Sequence, residues 1–143
     1  MHQVVVADAG PLIGLARIGR LSLLMALYGP VVVPPAVLAE LNLDADRPGS
    51  RHLAAAFAQG AIQCLDLASG SEVELHRLGL LLDAGAASAI LLAEQIPSRF
   101  LLIDERRGRE IARRRGMPVV GLAGVLLAAQ RSGLLDSVGM ALT

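Results

Sequence analysis

The chain has no lysine, no tryptophan, one cysteine and only three aromatic residues, Tyr28, Phe57 and Phe100. Without lysine there is no phosphate-gripping Walker A side chain and no amine nucleophile. Three aromatics are too few for the base-stacking platform of a general single-strand binder. The lone Cys64 cannot close an internal disulfide; it is expected to pack in the core and fits a reducing, cytoplasmic setting. No histidine lies near it in sequence, so it is not read as a nucleophile. No apolar run of about 18 residues is free of charges or breakers, so no membrane-spanning helix is expected. The N-terminus lacks a basic stretch followed by a hydrophobic one and a cleavage site, so no signal peptide is expected.

What is present is apolar. Of 143 residues, 54% are hydrophobic, and the mean hydropathy is +0.57. Such a length fits one domain, residues 1–143, with a sizeable core. A parallel sheet covered on both faces accounts for the apolar excess without a membrane. The formal net charge is zero, which excludes a global field attracting a polyanion. All thirteen basic residues are arginines, however, and six of them fall between Arg106 and Arg115.

The stretch Val4–Pro11, V-V-V-A-D-A-G-P, reads as a strand buried on both faces that ends at Asp8. Pro11 suits the first turn of a helix. From there strands and helices alternate. Strands are expected at Gln3–Ala7, Val31–Val33, Ile62–Leu67 (an edge strand, interrupted by Gln63 and Asp66), Phe100–Ile103 and Pro118–Val120. Helices are expected at Pro11–Arg17, Arg20–Tyr28, Pro35 to about Leu41, Arg51–Gln59 and Ser71 to about Leu82. Three more follow at Ala86–Gln95, about Glu105–Arg115 and Leu122–Ser132. Ser71 with Glu74 suggests a capping box, Gly85 a helix break, and Asn42–Ser50 a loop. This order implies a three-layer α/β/α domain with right-handed crossovers.

Two strands run into acids, V-V-V-A-D at Asp8 and F-L-L-I-D at Asp104. In a parallel sheet these ends share one edge, roughly 5 Å apart if the strands are neighbours. Ligands bind at that edge in open α/β sheets. Glu40, offset from the apolar face of its helix and near its end, can lean over the same edge, and Asp83 precedes Gly85. Carboxylates gathered around one cleft repel each other unless a cation lies between them. With no histidine or cysteine cluster, hard oxygen donors favour Mg²⁺ or Mn²⁺, ions that activate water against a phosphodiester. A plainer reading stands beside this one. Asp8, Asp104 and Asp83 can each cap the helix that follows, Glu105 can serve the helix dipole, and Glu40 can be a solvated helix residue. His2, His52 and His76 are scattered and read as surface residues.

The run R-R-G-R-E-I-A-R-R-R-G leaves only Ile111 and Ala112 for burial. It reads either as a solvated helix face or as a phosphate grip, since Arg106, Arg107 and Arg109 follow Asp104 directly. A third use would be to hold the acidic tail of a partner protein.

Four pieces in order, V-V-A-D-A-G-P-L-I-G-L-A, V-V-V-P-P-A-V-L-A-E-L, F-L-L-I-D-E-R-R-G-R-E-I-A and G-M-P-V-V-G-L-A-G-V-L-L-A-A, resemble a PIN-domain protein. The prokaryotic branch similar to VapC-type toxins is the nearest in pattern, and the resemblance covers nearly the whole chain. It implies a parallel sheet with helices on both sides and a Mg²⁺- or Mn²⁺-dependent ribonuclease acting on RNA. It also implies a toxin paired with a cognate antitoxin, and a homodimer. By that resemblance Asp8, Glu40 and Asp104 match metal-binding, catalytic acids, with Glu105 and Asp83 as additions. One motif departs. Where the family usually has G-E-x-x-A-I, this chain reads G-A-A-S-A-I, so Ala86 stands in place of an acid. The alternative function is therefore a PIN-like module that has weakened or lost catalysis and binds RNA or protein. A receiver-type signalling domain is disfavoured by the lack of lysine, and a dinucleotide site by the lack of G-x-G-x-x-G.

Overall fold

The run that ends at Asp8 forms the central strand of a parallel sheet. The computed structural model describes residues 3–136; His2 lies outside them. In chain order the elements are β1 (Val4–Ala7), α1 (Ala9–Arg17), α2 (Leu21–Tyr28), β2 (Val31–Val33), α3 (Pro35–Leu41), α4 (Ser50–Ala58) and β3 (Ile62–Cys64). They continue with α5 (Glu72–Gly79), α6 (Ala84–Gln95), β4 (Ser98–Leu102), α7 (Arg106–Arg114), β5 (Val119–Val120) and α8 (Leu122–Arg131). The strand order is β3-β2-β1-β4-β5, all parallel. β1 is flanked on both sides, with Val5 opposite Val31 and Phe100. Its residues Val5, Val6 and Ala7 are fully buried, as a strand covered on both faces requires.

Helices close both faces. α1 packs on α2, α4 and α8, while α6 packs on α5, α7, β1 and β4. α3 touches both α1 and α6. This is the three-layer α/β/α fold expected from the alternation of elements. The connection leaving β1 crosses toward β2, and the one leaving β4 crosses the other way, toward β5. The carboxyl ends of β1 and β4 therefore form the switch point of the sheet, where such folds bind ligands.

The boundaries match the sequence reading except in a few places. Gly85 is no break: α6 starts at Ala84 and takes Gly85 into its first turn. The capping box does not form. Ser71 Oγ donates to the Ala68 carbonyl and accepts from Gln95 Nε2, while Glu74 faces Arg115 and Arg77. β3 ends at Cys64, and Cys64 is half-buried on this edge strand rather than in the core. Arg115, the last of the arginine run, is more than part of a solvated helix face. It makes a bidentate pair with Glu94 (3.0 and 2.7 Å) and reaches Glu74 (3.0 Å), tying the end of α7 to α5 and α6. Among the described residues no single helix is long and apolar enough to cross a membrane.

Gly49 joins two helices on one face. Its φ is +91°, and an added Cβ would lie 2.8 Å from the backbone of Ala16 and Arg17 at the end of α1. Neither the left-handed backbone nor the backbone contact can relax through a side-chain rotation. We expect Gly49→Ala to lower stability by about 2–3 kcal/mol in urea unfolding, with the slope unchanged. A loss below about 0.5 kcal/mol would refute this close approach.

Candidate active site

Five carboxylates meet the first turns of four helices at the carboxyl edge of the sheet. Helix N-termini expose unsatisfied N–H groups and a partial positive charge, so anions settle there. Asp8 follows β1, its own N–H held by the Leu102 carbonyl of β4 at 2.9 Å. It caps α1, accepting from Ala9 N at 2.8 Å. Asp83 caps α6, accepting from Ala86 N at 2.8 Å. Glu105 caps α7, accepting from Gly108 N at 3.2 Å. Asp104, the residue before it, turns to the neighbouring helix and accepts from Leu122 N at the start of α8, 2.8 Å away. Glu40, near the end of α3, receives the Gly85 N–H of α6.

These contacts decide which acids feel one another. Asp8 is 7% exposed. Burial pushes its pKa up to about 6; the Ala9 N–H opposes this, and the charges of Asp83, Glu40 and Glu105 add to it. Asp104 is not among those neighbours. The Glu40 carboxyl is also raised, first by desolvation and then by Asp83, with the Gly85 N–H holding it back. The acids whose charges act on Asp8 are thus Asp83, Glu40 and Glu105.

The expected grouping of Asp8, Glu40 and Asp104 is not assembled. Among the described residues no three acidic, histidine or cysteine side chains converge closely enough to hold a metal ion. The physical reason is that these three are held at different helix N-termini, Asp8 at α1, Glu40 at α6 and Asp104 at α8. The donor chemistry, all carboxylate oxygen, suits a hard divalent cation. The plainer reading of Asp8 and Asp83 as helix caps is realised in their hydrogen bonds, and the burial of Asp8 among other acids goes beyond what a cap needs.

The three arginines of the following turn separate. Arg109 is half-buried, donates to the Ile103 carbonyl at 3.1 Å and lies beside Asp104 against Gly121. It braces the end of β4. Arg106 is exposed and pairs with Glu110 at 3.5 Å. Arg107 is exposed and makes no ion pair among the described residues.

Two contributors escaped the sequence reading. Gly85 offers Glu40 a seat that only glycine leaves open, since a Cβ there would lie 2.1 Å from Glu40 Oε1. Arg47 donates to the Leu41 carbonyl at 2.8 Å, closing the end of α3 just behind Glu40. Asp83 placed three residues before Ala86 was the available signal for the first, because a cap at that spacing puts Gly85 inside the helix. Nothing in the local pattern pointed to Arg47.

An α/β/α protein with acids at the switch point of its sheet belongs to the class that binds and turns over ligands at the carboxyl edge. A family model of the PIN domain matches residues 4–143, and the chain belongs to the PIN-domain family. PIN domains are generally nucleases, which gives a nuclease-type hydrolase as the coarse function. No curated protein and no solved structure matches the chain.

Two measurements follow from this geometry. Asp8 has a folded pKa of about 6 against an ordinary 3.8. Between those values the folded state binds more protons than the unfolded one, so stability falls as pH rises through the interval and levels above it. We expect Asp8→Asn, which keeps the cap, to flatten that slope and to stabilise the protein above pH 6 by about 1–3 kcal/mol. Equal stability of the two proteins at neutral pH would refute the buried charge.

Gly85→Ala separates folding from the site. Alanine favours a helix over glycine by up to about 1 kcal/mol, and the clashing atom is the mobile end of Glu40. We expect unchanged or slightly higher stability together with a shifted Glu40 titration by NMR. An unshifted carboxyl resonance would remove Gly85 from the site.

Proposed function

We propose that the protein is a divalent-metal-dependent endoribonuclease, similar to VapC-type toxins, acting on RNA phosphodiester bonds. The observation that supports this best is the gathering of Glu40, Asp83 and Glu105 around the buried Asp8 at the switch point, with Asp8 pushed up to about 6. Such mutual repulsion favours uptake of a cation. Asp8 and Glu40 would hold it. The charges felt by Asp8 favour Glu105 over Asp104 as the acid contributed by the β4–α7 turn. When bound, Mg²⁺ or Mn²⁺ would supply an activated water and stabilise the leaving oxygen. Asp83 adds negative charge while holding the first turn of α6. Arg106 and Arg107, exposed on the next turn, would grip the phosphates that flank the scissile bond.

The toxin role, a cognate antitoxin, a homodimer and a cytoplasmic setting belong to the same proposal. Val73, Leu80 and Leu81, all exposed on and just after α5, supply apolar surface for such an association.

One observation favours a second reading. Ala86 stands where the family pattern has an acid, and it is fully buried. A PIN module with little or no catalysis, working through RNA or protein contacts, fits that substitution.

The deciding experiment is cleavage of a labelled single-stranded RNA pool in Mn²⁺, Mg²⁺ or EDTA. We expect metal-dependent cleavage that Asp8→Asn abolishes and that Glu105→Gln lowers by at least about tenfold, more than Asp104→Asn does. Folded protein that cleaves no better than Asp8→Asn would leave the binding module as the function.

A further inference from the structure

α7, capped by Glu105, carries its arginines in two rows. Residues seven apart lie on one helix face, about 10.5 Å apart along the axis. Arg106 and Arg113 form one row, Arg107 and Arg114 the other, and all four are exposed. Glu110 lies between the rows and pairs with Arg106 at 3.5 Å. Among the described residues Arg107, Arg113 and Arg114 make no ion pair. The opposite face of the helix, Gly108 and Ala112, is buried, so the rows sit on a rigid support. Arg109 and Arg115 belong to neither row: one braces β4 and the other ties α7 to Glu94 and Glu74.

We propose that the two arginine rows of α7 form a track for the backbone of single-stranded RNA, leading it from the acidic site past Arg113 and Arg114. This inference rests on the nuclease reading above. Two arguments favour RNA over an acidic protein segment. The rows start within a turn of Glu105, so a strand seated on them passes the acids. Arginine forks match phosphate oxygens at two points each, and a rigid helix suits a regularly repeating anion. Bases need flat surfaces to stack on, and the aromatic side chains offer little. Tyr28 is edge-on to Phe100 at 5.0 Å and lies beneath Arg99 at 4.9 Å. Guanidinium planes can take that role, which implies weak sequence preference along the track.

The test is binding without turnover, so its failure is distinguishable from failure of the nuclease reading. Asp8→Asn protein in EDTA is titrated against a short labelled single-stranded RNA across a KCl series. Each phosphate contact contributes about 0.7 to the slope of log affinity against log salt. We expect Arg113→Gln with Arg114→Gln to lower the slope by about 1.4. Arg20→Gln with Arg131→Gln, just before α2 and at the end of α8, should leave it unchanged. Glu110→Gln should tighten binding, since it removes the one acid between the rows. Equal slopes for the two double variants would overturn the track. So would a glutamate-rich peptide that loses binding to the Arg113/Arg114 variant while RNA binding stays intact.

Discussion

The structure depends on the positive ends of helices meeting at one edge of a parallel sheet. Four first turns, those of α1, α6, α7 and α8, each hold at least one carboxylate. A right-handed β–α crossover makes this almost obligatory, because every strand that leaves the sheet at its carboxyl edge turns into a helix N-terminus there. The edge therefore attracts acids before any chemistry is selected. The chain has four acids around one point because β1 and β4 are neighbours and because α3 touches both α1 and α6, which brings Glu40 onto the first turn of α6.

Holding and repelling pull in opposite directions. A helix N-terminus favours a carboxylate by up to about 2 kcal/mol, while burial and like charges disfavour it. At Asp8 the second pair wins, and the pKa rises to about 6 despite the Ala9 N–H. Asp83, Asp104 and Glu105 are exposed and each accepts a backbone N–H at a helix start. The site is thus graded from a buried centre at Asp8 to exposed acids at the rim. The buried end of that gradient is carried by the fully buried residues of β1.

Most of the fold was legible because its signals are local. Buried valine runs, proline at the start of α3 and glycines after helices placed the elements to within a few residues. The shared edge of Asp8 and Asp104 followed from the parallel-sheet reading, while the pairing of β1 with β4 was left open there and is given by the fold. What escaped was long-range. Whether Asp104 or Glu105 turns toward Asp8 depends on where Leu122 N lies, eighteen residues onward. No spacing rule encodes that. The seat that Gly85 leaves for Glu40 is equally non-local, since the two are brought together only when α3 packs on α6. The false capping box failed for a related reason: Gln95 and Arg115 took Ser71 and Glu74 from outside the helix.

The same edge explains how the chain accommodates Ala86. In the first turn of α6 the Ala86 N–H is taken by Asp83 and the Gly85 N–H by Glu40. Both donors aimed at the cleft already face acids from outside the helix. The Ala86 side chain is fully buried among apolar neighbours, and a carboxylate in that position would add a second desolvated charge beside Asp8, at a cost of several kcal/mol unless neutralised. Asp83, one turn earlier, is exposed and caps α6. Negative charge at the edge is kept while the buried wall stays apolar. The first turn of α6 thus meets the edge through its N–H groups and an apolar side chain rather than through an acid of its own.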